Sequence, residues 1–175
     1  GGFNKIIFLN DHNFRAEPVT IQKERIQELQ ENLMLVFTGL SRFASEIAAD
    51  QIKNTSSNKH ELTAMRHMVD HAVNILNSNR DIADFGKLLR ESWQIKKKLS
   101  KKISNPEIDN MYSKAIKNGA LGGKLLGAGG GGFMLLFVPP QRRQRVQKAL
   151  KELLEVKFCF ENEGSQVIYY NPQQI

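Results

Sequence analysis

The apolar positions of the chain follow two rhythms, and each predicts its own kind of element. Leu33 to Thr38 and Phe133 to Val138 are near-continuous apolar runs of strand length, which predicts two buried strands. Lys5 to Leu9 predicts another strand. Asp11, His12 and Asn13 supply turn chemistry after it. Pro18 to Ile21 reads as a second short strand, with Pro18 at its start or on a sheet edge. Val156 to Phe160 and Gln166 to Tyr170 alternate and predict a final hairpin, and the tail from Asn171 to Ile175 is expected to be loose.

Helical spacing fills the space between these runs. Lys23 to Asn32 predicts a short polar helix with Ile26 and Leu29 three apart. Ser41 reads as the N-cap of a helix from Arg42 to Lys53, with Phe43, Ile47 and Ala48 inward. Asn54 to Asn58 is a loop. Lys59 to Leu76 is strongly periodic, with Leu62, Met65, Val69, Ala72 and Leu76 on one stripe. Asp81 caps a further helix whose stripe is Phe85, Leu88, Leu89, Ser92, Ile95 and Leu99. Ser104-Asn105-Pro106-Glu107 is a helix start: a capping side chain, Pro in the first turn, then an acid favoured by the helix dipole. Ile108, Met111, Tyr112, Ala115 and Ile116 form its inner face, and Gly119 stops it. Pro139 and Pro140 close the second apolar run and open a last helix, with Val146, Ala149, Leu150, Leu153 and Leu154 inward. Three long helices in succession between strands predict an α+β fold, with an antiparallel sheet covered by helices on one face.

Composition narrows the picture only a little. The 175 residues are 41% hydrophobic, enough for one globular domain with a core. The net charge of +7 suits an anionic partner: a nucleotide, a sugar phosphate, nucleic acid or a membrane surface. Cys159 is the one cysteine, which excludes an intrachain disulfide and fits a reducing, cytoplasmic compartment. No apolar stretch reaches spanning length, so no membrane role is expected. The chain opens on Gly1-Gly2-Phe3 without Met, which predicts a piece of a longer protein.

The stretch with the clearest chemistry is GGKLLGAGGGGFMLLFV, from Gly122 to Val138. Gly127, Ala128, Gly129, Gly130, Gly131 and Gly132 form a loop that feeds the second apolar run. Glycine reaches positive φ without steric cost, and successive N–H groups in such a turn can converge on an anion. Lys124 stands just upstream as a possible counter-charge. The run contains G-x-G-x-x-G, but a dinucleotide fingerprint follows a strand and opens a helix, and here a strand follows. No Gly-Lys-Ser/Thr follows the glycines, which excludes a Walker loop. Two readings stay open: a phosphate site, or a tight turn against which another backbone packs.

KLLGAGGGGF resembles the third, C-terminal motif of the GHMP kinases. GGFN at Gly1 to Asn4, TGLSR at Thr38 to Arg42, ESWQIKKKLS at Glu91 to Ser100 and ISNPEID at Ile103 to Asp109 resemble the C-terminal half of the heptose kinase branch, which phosphorylates a heptose 7-phosphate at its anomeric hydroxyl. The resemblance implies a single C-terminal domain over residues 1–175, with a ferredoxin-like sheet and an extra helical insertion. It implies ATP and Mg2+ as cofactors, a sugar phosphate as substrate, and a separate N-terminal domain carrying the ATP loop. No P-x-G-x-G-S-S-A-like loop occurs in this chain. The family's general-base Asp would lie before Gly1, so no catalytic residue is expected here and the chain alone is expected to be inactive. The glycine loop would buttress the phosphate loop of the other domain. A face stripped of that domain makes self-association an expectation.

The remaining candidates each have a plain alternative. Ser41 and Arg42, at a strand end and helix start, are candidates for the sugar's phosphate or a simple cap with a solvated Arg. Lys96 and Lys97, in a run with Lys98, Lys101 and Lys102, are candidates for the same phosphate or part of a solvated face. Ser104 and Asn105 are candidates for the substrate pocket from the helix start, or caps, and capping alone is sufficient to explain them. His67 and His71 are four apart but lack the H-E-x-x-H pattern, so no metal site is expected. Trp93 reads as core, and Cys159 as a small hydrophobe. A free-standing anion-binding or regulatory module is the alternative from another class. Nucleic-acid binding is disfavoured, because no RNP-type or helix-turn-helix signature occurs.

Overall fold

The computed structural model describes residues 1–41 and 43–169. The chain forms two compact units. The first comprises Gly1–Thr20 and the chain from Cys159 onward. It holds an antiparallel hairpin of β1 (Asn4–Phe8) and β2 (Phe14–Pro18), with Asn4 opposite Pro18 and Phe8 opposite Phe14. The Asp11 carboxylate accepts from the Asn13 side chain at 2.9 Å and its backbone N–H at 3.1 Å, so the turn at Asp11 to Asn13 is as expected. The second strand lies earlier than expected and ends at Pro18. This register places the proline at the strand's terminus, where its missing N–H leaves no central ladder bond unmade.

The second unit, Ile21–Phe158, holds the larger sheet. Its elements are α1 (Lys23–Asn32), β3 (Leu33–Phe37), α2 (Ala44–Lys53), α3 (Lys59–Leu76), α4 (Ala83–Lys98), α5 (Pro106–Lys117), β4 (Gly122–Leu125), β5 (Phe133–Phe137), α6 (Pro140–Ala149) and β6 (Leu154–Val156). The sheet order is β4-β5-β3-β6, antiparallel throughout. A strand, a helical crossover, a hairpin, a second helical crossover and a returning strand make the ferredoxin-like arrangement. The first crossover is long because α2 and α3 extend it.

Register divides the sheet's apolar residues between two faces. Met34 pairs with Leu136 and Val36 with Met134, and all four are buried in the main core with Trp93, Ile103, Ile108, Ala115 and Val146. Leu33, Leu35 and Phe37 pair with Phe137, Leu135 and Phe133 on the other face. That face is sealed at one end, where Gly86 of α4 lies over the Phe137 ring, and is half-open at the other, where Phe37 and Phe133 touch at 5.2 Å between ring centroids. Helix α4 therefore serves both faces, sending Trp93 into the core and Gly86 over Phe137. This is why its buried residues are Gly86, Leu88, Trp93 and Lys96, while Phe85, Leu89, Ser92 and Ile95 of the expected stripe are only half-buried.

Four other expectations need correction. Helix α2 starts at Ala44 with Phe43 at its N-cap, not at Ser41. The preceding carbonyl, of Leu40, is held by the Gly132 N–H, which keeps the chain outside helical geometry there. Arg42 lies outside the described residues. On α3, Leu62 and Val69 are exposed, and burial is concentrated at Ile75 and Leu76, where the helix approaches α4. Residues 157–169 contain no strand: only Leu154–Val156 pairs, with β3, and Leu154 is exposed rather than inward. The expected partner strand ends at Tyr170, which with the tail lies outside the described residues. Finally, Gly122–Leu125, a stretch given no element above, is a strand.

Candidate functional site

The glycine segment is the tip of the β4–β5 hairpin. Its two strands are joined by Leu126 to Gly132, and Leu126 N–H donates to the Phe133 carbonyl at 2.8 Å to close the ladder. Gly127, Gly129, Gly130 and Gly132 all have positive φ, so a side chain at any of them would be strained. Gly129 and Gly131 are needed for a second reason. A Cβ on Gly129 would lie 2.8 Å from the Ile103 Cα, and one on Gly131 would collide with the Leu40 carbonyl.

Four segments distant in sequence brace this tip. Gly130 N–H donates to the Ile103 carbonyl and Gly132 N–H to that of Leu40, both at 2.9 Å. The Gly132 carbonyl accepts from the Thr38 backbone at 2.9 Å and hydroxyl at 2.8 Å. Gln51 of α2 donates its side-chain amide to the Ala128 carbonyl at 3.1 Å. Lys96 of α4 donates to the Gly127 carbonyl at 2.5 Å and to that of Leu125 at 3.3 Å. Close backbone packing is thus real, and it leaves something over. The N–H groups of Gly127, Ala128, Gly129 and Gly131 have no hydrogen-bond partner among the described residues.

The electrostatics around the tip are one-sided. Lys96 is only 8% exposed and has no carboxylate partner among the described residues. Burial, with a smaller contribution from the Lys124 ammonium, pushes its pKa down to about 8. Lys124 of β4 is also lowered by burial, and no partner satisfies it among the described residues. The acids nearby are already engaged. The Ser100 hydroxyl donates to Asp50 of α2, whose other oxygen is 3.9 Å from Lys102. N–H donors without a partner among the described residues, on a tip held from behind by a buried lysine, are chemistry that an anion can use.

The other candidates separate. Lys96 is turned inward onto carbonyls. Lys97 pairs with Asp109 at 3.0 Å, and its ammonium sits 5.9 Å from the centre of the Trp93 ring. Ser41 lines a cleft of about 650 Å³ with Leu40, Phe43, Glu46, Asn105, Pro106 and Glu107. Asn105 caps α5, accepting from the Ile108 N–H at 2.9 Å, and Ser104 donates to Asp109 at 3.0 Å. Leu40 belongs both to this cleft and to the glycine bracing, so the two features adjoin. His67 and His71 are both exposed on α3. No group of three or more metal-ligating side chains occurs among the described residues, and no helix among them is long and apolar enough to cross a membrane.

Sequence reasoning missed Gln51 and the inward role of Lys96. Lys96 did carry a signal: it stands three residues after Trp93 and three before Leu99, on the stripe that α4 buries most completely.

Comparison with known proteins finds relatives among kinases. Residues 72–156 match the family GHMP kinases C terminal. The chain is 35% identical over 168 residues to D-glycero-alpha-D-manno-heptose 7-phosphate kinase of Campylobacter jejuni, covering 94% of this chain and 49% of that protein. It is 30% identical over 123 residues to the L-fucokinase/L-fucose-1-P guanylyltransferase of Bacteroides fragilis, covering 68% of this chain and 13% of that one. In structure it resembles mevalonate kinase of L. major, with a TM-score of 0.69 at 20% identity over 89% of this chain and 48% of the other. The chain thus spans about half the length, or less, of the curated relatives it matches.

Proposed function

We infer that the chain, whose residues 72–156 match the GHMP kinase C-terminal family, forms one wall of the active-site cleft of an ATP-dependent sugar kinase. The observation that carries the reading is the hairpin tip, braced by Lys96, with N–H groups that have no partner among the described residues. Phosphoryl transfer needs positioning and charge stabilisation more than covalent chemistry. Donors fixed in advance, at a site where charge develops, supply that stabilisation without reorganisation.

The substrate in this reading is a heptose 7-phosphate, phosphorylated at its anomeric hydroxyl. The 35% identity to a heptose 7-phosphate kinase over nearly the whole chain supports this choice. The cleft at Ser41 and Asn105, which adjoins the glycine bracing, is a suitable place for the sugar. Ser41 and Arg42 are assigned its existing phosphate. Lys96, committed to two carbonyls, is reassigned to supporting the glycine tip. ATP supplies the transferred phosphoryl group, and Mg2+ is assigned to the half of the enzyme that this chain lacks, as is proton abstraction from the sugar.

The test is ADP release with Mg-ATP and a panel of sugar phosphates, by this chain alone and after addition of the complementary N-terminal half. Silence alone, followed by turnover of heptose 7-phosphate in the reconstituted enzyme, is expected. In that enzyme Arg42→Ala should raise KM for the sugar phosphate, and an unchanged KM removes Arg42 from the site. Silence in both arms would favour an anion-binding module without catalysis.

A further inference from the structure

The bracing of the glycine tip has a directional consequence. In a trans peptide the C=O and the following N–H point in opposite directions. Lys96 holds the Gly127 carbonyl, so the Ala128 N–H is turned away from Lys96. Gln51 holds the Ala128 carbonyl, so the Gly129 N–H is turned away from Gln51. These are two of the N–H groups without a partner, and they are adjacent in sequence. The next donor along, Gly130 N–H, is not available, because the Ile103 carbonyl takes it.

We propose that Lys96 and Gln51 are positioning residues that aim the Ala128 and Gly129 N–H groups at a phosphate of the bound ligand. The proposal rests on reading the hairpin tip as a phosphate site, and it names what orients that site. Lys96 does more than hold geometry. A charge-assisted hydrogen bond to a carbonyl polarises the whole peptide unit, and the N–H at its other end becomes a stronger donor. The lysine's charge thus reaches the anion through the 127–128 peptide, without direct contact. Gln51, which is neutral, fixes direction with less polarisation. Glycine at 127 and 129 lets both peptides take these orientations, since each has positive φ.

The probe is inorganic pyrophosphate, titrated into the 15N-labelled chain at fixed ionic strength and neutral pH. The Ala128 and Gly129 amide protons should move downfield and saturate. Lys96→Arg should keep this response. Lys96→Met should weaken apparent affinity about tenfold, as expected for losing a charge-assisted bond. The Gly130 and Gly132 amides, held by Ile103 and Leu40, should keep their ligand-free positions in that variant, which separates lost aim from a collapsed loop. Gln51→Leu should diminish the Gly129 response more than that of Ala128. The inference is overturned if pyrophosphate moves neither amide in the wild type, or if Lys96→Met binds like the wild type. Should Lys96→Met fail to fold, an unchanged Gly129 response in Gln51→Leu overturns it instead. Pyrophosphate has no sugar, so the kinase reading fails separately: responsive amides with no turnover of any sugar phosphate would sink that reading and leave this one standing. Normal turnover with both positions replaced would do the reverse.

Discussion

Gly122 of β4 and Gly86 of α4 meet backbone to backbone: a Cβ on Gly122 would collide with the Gly86 carbonyl oxygen and lie 2.8 Å from the Arg90 nitrogen. Neither obstacle can swing aside, because both are helix backbone. Gly122→Ala should therefore destabilise the chain by about 2–3 kcal/mol, the range for forced overpacking. Urea unfolding followed by circular dichroism measures it, and a change under about 0.5 kcal/mol would show that α4 can retreat from β4.

Alanine at the glycine tip should cost different amounts at different positions. Gly127 has positive φ but open space around its would-be Cβ, so Gly127→Ala carries only the left-handed penalty, about 1 kcal/mol. Gly129 has positive φ and Ile103 against it, so Gly129→Ala adds a steric clash, and its total should exceed that of Gly127→Ala by about 1 kcal/mol or more. Equal midpoints in urea would mean that the Ile103 contact yields freely.

Stability should depend on pH in the alkaline range. Lys96 has a folded-state pKa of about 8 against an ordinary value of 10.5, and Lys124 is lowered too. Between those values the unfolded chain binds more protons than the folded one, so stability rises with pH through that window. Tyr112 acts in the opposite sense. Burial pushes its pKa up to about 12 from 10.0, so the unfolded chain loses that proton first and stability falls above pH 10. Urea midpoints should climb from pH 8 toward 10 and decline beyond. Lys96→Met should show a shallower climb. Parallel profiles for the two proteins would contradict the burial of a charged Lys96.

Asn105 anchors α5 beside the cleft that Ser41 lines. Its side chain satisfies the Ile108 N–H, so Asn105→Ala should cost about 1 kcal/mol, while Asn105→Ser or Asp restores most of it. Failure of both replacements to recover stability would mean that Asn105 has a further partner.

The legible parts of the fold were those with one physical demand per segment. Leu33–Phe37 and Phe133–Phe137 are continuous apolar runs because each is a central strand, buried on the core face and lined with apolar residues on the other. Helix α5 announced itself through Asn105 and Pro106. Segments under two demands misled. Gly122–Leu125 is a strand that carries no strand-like pattern, because α4 leaves no room for a Cβ at Gly122 and the neighbouring strand β5 leaves none at Gly123. Ser41 has a capping side chain, but the Leu40 carbonyl is claimed by Gly132 and the helix begins later. Lys96 sits in a lysine run whose charge suggests a solvated face, and only its spacing from Trp93 and Leu99 marks it as buried. At the glycine tip the tight-turn reading holds, since Ile103 and Leu40 pack against it, and the N–H groups without a partner among the described residues leave the phosphate reading open.

The hairpin tip borrows its shape from distant parts of the chain. Thr38 and Gly132 are 94 positions apart, Gln51 and Ala128 are 77, and Lys96 and Gly127 are 31. Such contacts form only after long loops have closed, at an entropic cost that local glycine preferences cannot repay. A short peptide of the same sequence would therefore not hold this conformation. The tip works instead as a gauge of the assembled unit: packing damage near Trp93 or along α2 reaches it through its braces, without any change to the glycines themselves.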